Sequence, residues 1–276
     1  MRIDAHHHFW HPARGDYGWM DPGNPILARD YGPADLAPAL SAAGIDRTVL
    51  VQAAPTLAET DHLLSIAADC AFVGAVVGWI DFEDPGQITA LTRLAAQPLL
   101  RGLRPMIQDI ADVDWMLRPD LSWAYEAMIA HDLRFDALGH PRHLANFARL
   151  ADRYPALQII VDHGMKPQIA EQEFAVWAAG LRNLAQRPNV ACKLSGLVTE
   201  AAPGWSHHDL KPYSDHILSC FGPARIMWGS DWPVCRLQAE YGDWLSAAQA
   251  LCAHLGQRDQ DLIFGGTAAR LYGIAG

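Results

Sequence analysis

A single (β/α)8 TIM barrel is the fold this sequence predicts, and three observations predict it. Eight short apolar segments recur along the chain, most of them closed by a polar or charged residue, as buried parallel strands are. Amphipathic helical stretches with readable caps and stops separate them. No composition break divides the 276 residues, a length that such barrels reach as one domain, here 1–276. The competing α/β solution is a doubly wound open sheet. It would more often place a glycine-rich phosphate turn after its first strand, where this chain has "HHHFW".

The strands are expected, in order, at Arg2–His6, Thr48–Gln52, Val73–Trp79, Leu99–Arg104, Leu133–Ala137, Gln158–Asp162, Val190–Leu194 and Arg225–Gly229. Between the first two, "LSAAG" ends a helix at Gly44, the usual place for a C-cap. After the second, Thr56 followed three residues later by Glu59 is a capping box before Leu63, Leu64 and Ile66. Before the seventh, Phe174, Trp177, Leu181 and Leu184 keep helical spacing until Pro188 closes the run. "GGTAARLYG" opens a last helix, with Thr267 near its cap and Arg270 holding a neighbouring loop. Two segments are too long for plain connections: 9–32 after strand one and 197–209 after strand seven. Loops of this length are commonly lids or binding loops, and both leave the rim at which such barrels work.

Composition narrows the function. Lys plus Arg is 21 against 31 for Asp plus Glu, a formal charge of -10, which argues against a nucleic-acid footprint. Five scattered cysteines without CxxC spacing read as thiols of a reducing compartment. The N-terminus has no signal-peptide pattern, and no run of about 18 apolar residues offers a membrane span. The expectation is a cytoplasmic protein, with a homo-oligomer left open.

The chemistry gathers at strand ends. Side chains alternate along a strand, so His6 and His8 share one side and His7 takes the other. "VDHGMKP" puts His163 and Lys166 after strand six, "WGSDWPV" puts Asp231 after strand eight, and "RGLRP" puts Arg104 at the tip of strand four. Each alone has a plain structural explanation as a turn cap, a polar pair or a surface charge. Chance would spread them over both rims. Gln52 at the end of strand two is either a substrate contact or a rim hydrogen bond, and Lys193 in "CKLSGL" is either a buried ion pair or cap contact, or part of the catalysis.

The blocks "DAHHHFW", "LRGLRPMIQ", "VDHGMKP", "CKLSGL", "GSDWPV" and "GGTAARLY" run from residue 2 to about 273. In them the chain resembles the amidohydrolase superfamily, in the amidohydrolase-2-type branch of metal-dependent hydrolases that contains sugar lactonases for L-fucono- and L-rhamnono-lactones. The resemblance implies that His6, His8 and Asp231 form a metal site, that Asp231 is the general base, and that His163 and Arg104 join the catalysis. The chain departs from the branch at His7, where Gln is frequent, and at Met165, where Gly is frequent. His7 adds an alternative ligand, and Met165 leaves the presentation of Lys166 open.

A binuclear centre is not expected, because strand four offers the cation Arg104 and strand five only Asp136. The site would take a single Zn2+ or another divalent cation, which suits imidazole and carboxylate ligands. Some lactonases of the branch resemble enzymes that turn over without a metal, so the resemblance does not make the ion obligatory. The implied reaction opens a sugar lactone to its acid. A zinc-dependent decarboxylase, or a hydrolase of a muconate- or pyrone-like acid, is the alternative. The substrate walls are expected from Trp10, Tyr17, Trp19, Gln52, Lys166, Trp205 and His207, with Arg104 as a fork for substrate oxygens.

Overall fold

The computed structural model describes residues 1–275. Eight parallel strands follow one another around the sheet in chain order: β1 Ile3–His7, β2 Arg47–Val51, β3 Val73–Gly78, β4 Leu100–Leu103, β5 Arg134–Ala137, β6 Ile159–Val161, β7 Val190–Leu194 and β8 Ile226–Trp228. The helices α1 Pro33–Ala43, α2 Leu57–Asp69, α3 Ile88–Ala95, α4 Ser122–Ala130, α5 Leu144–Arg153, α6 Ala175–Leu184, α7 His207–Phe221 and α8 Tyr241–Cys252 pack outside. The (β/α)8 barrel expected from the alternation is the observed fold. Strands β6 and β8 are shorter than their apolar runs because the chain turns sharply at Asp162 and Gly229, where the site begins.

Two hydrophobic layers hold the barrel. Ile3, Ala5, Val49, Val51, Ala75, Val77, Ile160, Ala191 and Met227 fill the interior. The short helices α9 Gln257–Asp261 and α10 Thr267–Tyr272 end the chain, and Leu271 and Tyr272 of α10 join that inner cluster. As expected, Arg270 holds a neighbouring loop by donating to Ala224 O; Thr267, at the start of α10, donates to Pro223 O beside it. The helix-facing set, including Leu50, Val76, Phe135, Val161 and Trp228, packs beneath the helices. Five free cysteines lie in these layers or at their edge, and none is in a disulfide among the described residues. No helix of the described residues is long and apolar enough to cross a membrane.

Closure between β1 and β8 is made at the rim rather than along a ladder. His8 N donates to Trp232 O at 2.7 Å and Asp231 N donates to His6 O at 2.7 Å. Behind them the buried Asp4 carboxylate accepts from Ser230 N at 2.8 Å and from the Tyr241 hydroxyl at 3.1 Å.

Strand β1 also breaks its own alternation. Its pairing with β2 shifts register between Asp4 and His7, so Ile3 and Ala5 face the interior and His6 faces it as well, while His7 turns outward to Thr48 Oγ1 at 2.8 Å. A bulge is the usual means of re-aiming side chains beside an active site.

Gly229 lets the seam close, because a Cβ there would lie 2.6 Å from His6 Cβ and 3.0 Å from His6 N. Gly229→Ala is expected to cost about 1–3 kcal/mol by overpacking, read as a lower denaturation midpoint in urea at unchanged m-value.

Candidate active site

The rim of the barrel at the C-terminal ends of the strands gathers the groups the sequence placed there. His6 and His8 leave β1 with their Nε2 atoms 3.1 Å apart. Asp231 Oδ1 lies 3.6 Å from His6 Nε2, 3.4 Å from His8 Nε2 and 3.9 Å from His163 Nε2. All four side chains are buried.

The backbone holds two of them in an uncommon conformation. His163 and Asp231 have φ of +54° and +57°, and Met165 and Lys166 follow at +65° and +48°. Left-handed conformations in non-glycine residues cost energy and cluster at functional sites. Met165, where the branch often has glycine, keeps the turn and buries its side chain. Gly196 stands against His163, where a Cβ would come within 2.6 Å of Nδ1, and Ser195 Oγ meets that same Nδ1 at 2.9 Å.

Electrostatics separate the roles. Burial pushes the His163 imidazole down to about 4, against the pull of Asp231 and Asp162. Burial lowers His6 and His8 as well. Burial by itself would raise the Asp231 carboxyl, but the imidazoles of His163, His8 and His6 hold it below the ordinary carboxylate range. Neutral imidazoles around an ionised carboxylate are therefore the state at neutral pH.

That donor set suits one divalent cation. Ligand atoms of His6, His163 and Asp231 lie within 4.8 Å of one another, and His8 Nε2 adds a further nitrogen through its distances to His6 and Asp231. His8 Nδ1 donates to Val51 O at 2.8 Å. Its Nε2 therefore presents a lone pair, as metal-ligating histidines do when their other nitrogen is tied to a carbonyl. His7 lies outside the cluster: it bonds Thr48 and packs edge-on against Phe9 with ring centres 4.7 Å apart, so it adds no ligand.

The pocket over the cluster has a volume of about 170 Å³ and is lined by His8, Trp10, Trp19, Ala53, Arg104, Met106, Gln108, Leu138, His163, Lys166, Asp231 and Val234. Trp10, Trp19, Lys166 and Arg104 are where the sequence put them. The Arg104 fork, however, is not free. NH2 donates to Gln52 O, and NH1 to Asp162 Oδ2 at 3.2 Å. Arg104 thus brings charge to the floor more than open donors.

Other expected wall residues lie elsewhere. Gln52 Nε2 donates to Arg104 O at 2.6 Å and braces the strand end. Tyr17 is buried against Trp10 inside the 9–32 loop. Trp205 lines a separate cavity of about 410 Å³ together with His208, and donates to Gln238 O at 3.1 Å. His207 is exposed at the first turn of α7, its ring 4.2 Å from His208. Residues 202–205 of the strand-seven loop line that separate cavity with α7, and the loop supplies no residue to the pocket lining. Met106, Gln108, Leu138 and Val234 form the wall instead. Their signal was position alone, a few residues past β4, β5 and β8, without a telling residue type.

A (β/α)8 barrel with this HxH pair, a histidine after β6 and an aspartate after β8 defines a hydrolase barrel built for one metal ion or none. The chain belongs to the Amidohydrolase family, whose sequence profile matches residues 3–274. It is 46% identical over 281 residues to L-fucono-1,5-lactonase of Burkholderia ambifaria, covering 99% of this chain and 96% of that protein. It is 38% identical to L-fucono-1,5-lactonase of Burkholderia multivorans, with 99% and 96% covered. The crystal structure of an amidohydrolase from Burkholderia multivorans with bound zinc superposes with a TM-score of 0.94 at 38% identity, covering 100% of both chains.

The buried histidines set an acid limit on stability. The unfolded chain binds their protons below about pH 6.5, whereas His163 waits until about 4 and His7 until about 3. Between those values the unfolded state holds more protons, and stability falls as pH falls. Asp4 and Asp136, each raised to about 6 by burial, act in the opposite sense, as does Glu59 at about 7, but the lowered histidines outnumber them. Calorimetry should give a lower Tm at pH 4.5 than at pH 7; an equal or higher Tm would contradict the assignment of neutral imidazoles.

Proposed function

We propose that residues 1–276 form one catalytic domain that opens a sugar 1,5-lactone of the L-fucono type to the corresponding acid. Full-length identity of 46% to a lactonase of that type carries the reading. An ionised Asp231 beside neutral imidazoles, at the floor of a pocket of about 170 Å³, supplies its chemistry.

In this mechanism Asp231 takes a proton from the water that attacks the lactone carbonyl carbon, and the bond from that carbon to the ring oxygen then breaks. The same proton passes to the departing ring oxygen, leaving a hydroxyl and a carboxylic acid that ionises in solution. An imidazole N–H of His6 or His163 faces the carbonyl oxygen, where such a donor is typically worth about 10²–10³-fold. Lys166 and Gln108 reach the sugar hydroxyls from the β6 and β4 sides, and Trp10 and Trp19 pack its C–H faces. Zinc held by His6, His8, His163 and Asp231 would polarise the carbonyl and lower the pKa of the water.

Asp231→Asn keeps a residue that tolerates the left-handed backbone. It should leave the fold intact by circular dichroism and lower kcat on L-fucono-1,5-lactone by about 10²–10⁴-fold, followed with a pH indicator. Wild-type turnover in that variant would remove Asp231 as the base.

Trp19 stands between the pocket and a neighbouring apolar cavity of about 650 Å³ that includes Trp79, Phe82 and Trp115. Trp19→Ala should raise KM for a single-ring sugar lactone and improve the relative kcat/KM for lactones bearing an aryl substituent. An unchanged ratio would show that the indole does not bound the substrate.

A further inference from the structure

Beneath the pocket lies a buried polar layer that the mechanism above does not use. Lys193 on β7 is fully buried, and its Nζ pairs with Asp136 at 2.5 Å and with Asp162 at 3.0 Å. The same Nζ comes 3.1 Å from His6 Nδ1. Asp162 Oδ1, the oxygen that Lys193 Nζ holds at 3.0 Å, also lies 3.4 Å from His6 Nδ1. Two groups of opposite character therefore compete for one ring nitrogen. An ammonium can only donate to it; a carboxylate can only accept from it.

The outcome fixes what His6 shows the pocket. When Lys193 donates to Nδ1, the ring proton sits on Nε2. That arrangement completes a chain: Lys193 N–H to His6 Nδ1, His6 Nε2–H to His8 Nε2, and His8 Nδ1–H to Val51 O, with Arg104 NH1, 3.5 Å from His6 Nε2, donating to Asp162 Oδ2 instead. When Asp162 instead accepts from His6 Nδ1–H, the lone pair is on Nε2, and His6 becomes a metal ligand. The ring is neutral in both forms. Its proton moves from one nitrogen to the other, and no proton is gained or lost.

We propose that Lys193 and Asp162 are positioning residues that set the tautomer of His6, Lys193 holding it as an N–H donor toward the pocket and Asp162 releasing it as a ligand for a divalent cation. The device makes one site usable in two ways, as an imidazole donor whose N–H rests on His8 Nε2 until a carbonyl oxygen takes it, or as a cation site. The inference rests on the proposed site but on no substrate, because both of its readouts are taken without a lactone.

The test uses zinc affinity and ring-nitrogen spectra. The charge-compensated variant Lys193→Met/Asp136→Asn removes the donor together with one carboxylate, leaving Asp162 as the partner of His6 Nδ1. Its zinc Kd, measured by competition with a chromogenic chelator, should be at least about tenfold tighter than wild type. Asp162→Asn should weaken zinc by about 10–100-fold, the usual range for a partner of a ligating histidine. A Kd within twofold of wild type in both variants overturns the proposal.

Neither variant has to fold for the question to be decided. In wild-type protein labelled with 15N-histidine, stripped of metal and assigned with His6→Asn, His6 should carry its proton on Nε2. Added zinc should move that proton to Nδ1. A proton already on Nδ1 in the stripped protein overturns the proposal, whatever the lactonase assay gives.

Discussion

The seam between β1 and β8 governs both the fold and the site. Two backbone hydrogen bonds, His8 N to Trp232 O and Asp231 N to His6 O, bring the start of the chain against a segment more than two hundred residues away. The first also shuts the cylinder and hides two strand edges. Asp4 clamps the seam from behind by accepting from Ser230 N and Tyr241, and burial raises its carboxyl to about 6. Hydrogen bonds to an ionised group are worth roughly 1.5–3 kcal/mol each, so this corner contributes to stability while it sets the spacing of His6, His8 and Asp231. Fold closure and site assembly are one event here.

Below the seam, charge is arranged in two tiers. The lower tier pairs Lys193 and Arg104 with Asp136 and Asp162, and the Tyr272 hydroxyl from the final helix donates to Asp136 at 2.8 Å. Buried pairs of this kind add little net stability, because desolvation cancels much of the attraction. Their return is in orientation: they hold Arg104 and His6 still. The upper tier is a carboxylate among neutral imidazoles. With Lys193 and Arg104 engaged by the lower carboxylates, the barrel leaves Asp231 ionised among imidazoles alone.

The first loop shows how much order an aperiodic segment can hold. Between 9 and 32 the chain has almost no regular structure, yet Trp10, Tyr31 and Trp232 pack edge-to-face in series, and Trp10 Nε1 is held by the carbonyls of Leu27 and Arg29. Its aromatics take different places, Trp10 and Trp19 facing the pocket while Tyr17 packs inside the loop. Residue type could not make that division, since all three are amphipathic aromatics in one loop. The same reason separates Lys166, which lines the pocket, from Trp205 and His207, which lie away from it. The reciprocal clamp between Gln52 and Arg104 was equally hidden. A polar residue at a strand end reads the same whether it meets a substrate or a neighbouring strand.

The barrel, its rim and the polar residues that gather at that rim were legible in the order of amino acids alone. Alternating apolar segments and helices leave few other ways to bury so much surface, and polar residues at the strand ends mark one rim because parallel strands all finish there. The phase of β1 was settled in three dimensions. With Ile3 and Ala5 facing inward, strict alternation would have sent His7 to the interior; the register shift after Asp4 sends His6 there instead. Which groups surround His6 was likewise a tertiary matter. Lys193, Asp136 and Asp162 come from three different strands or their ends, and their distances to one imidazole exist only once the cylinder has closed.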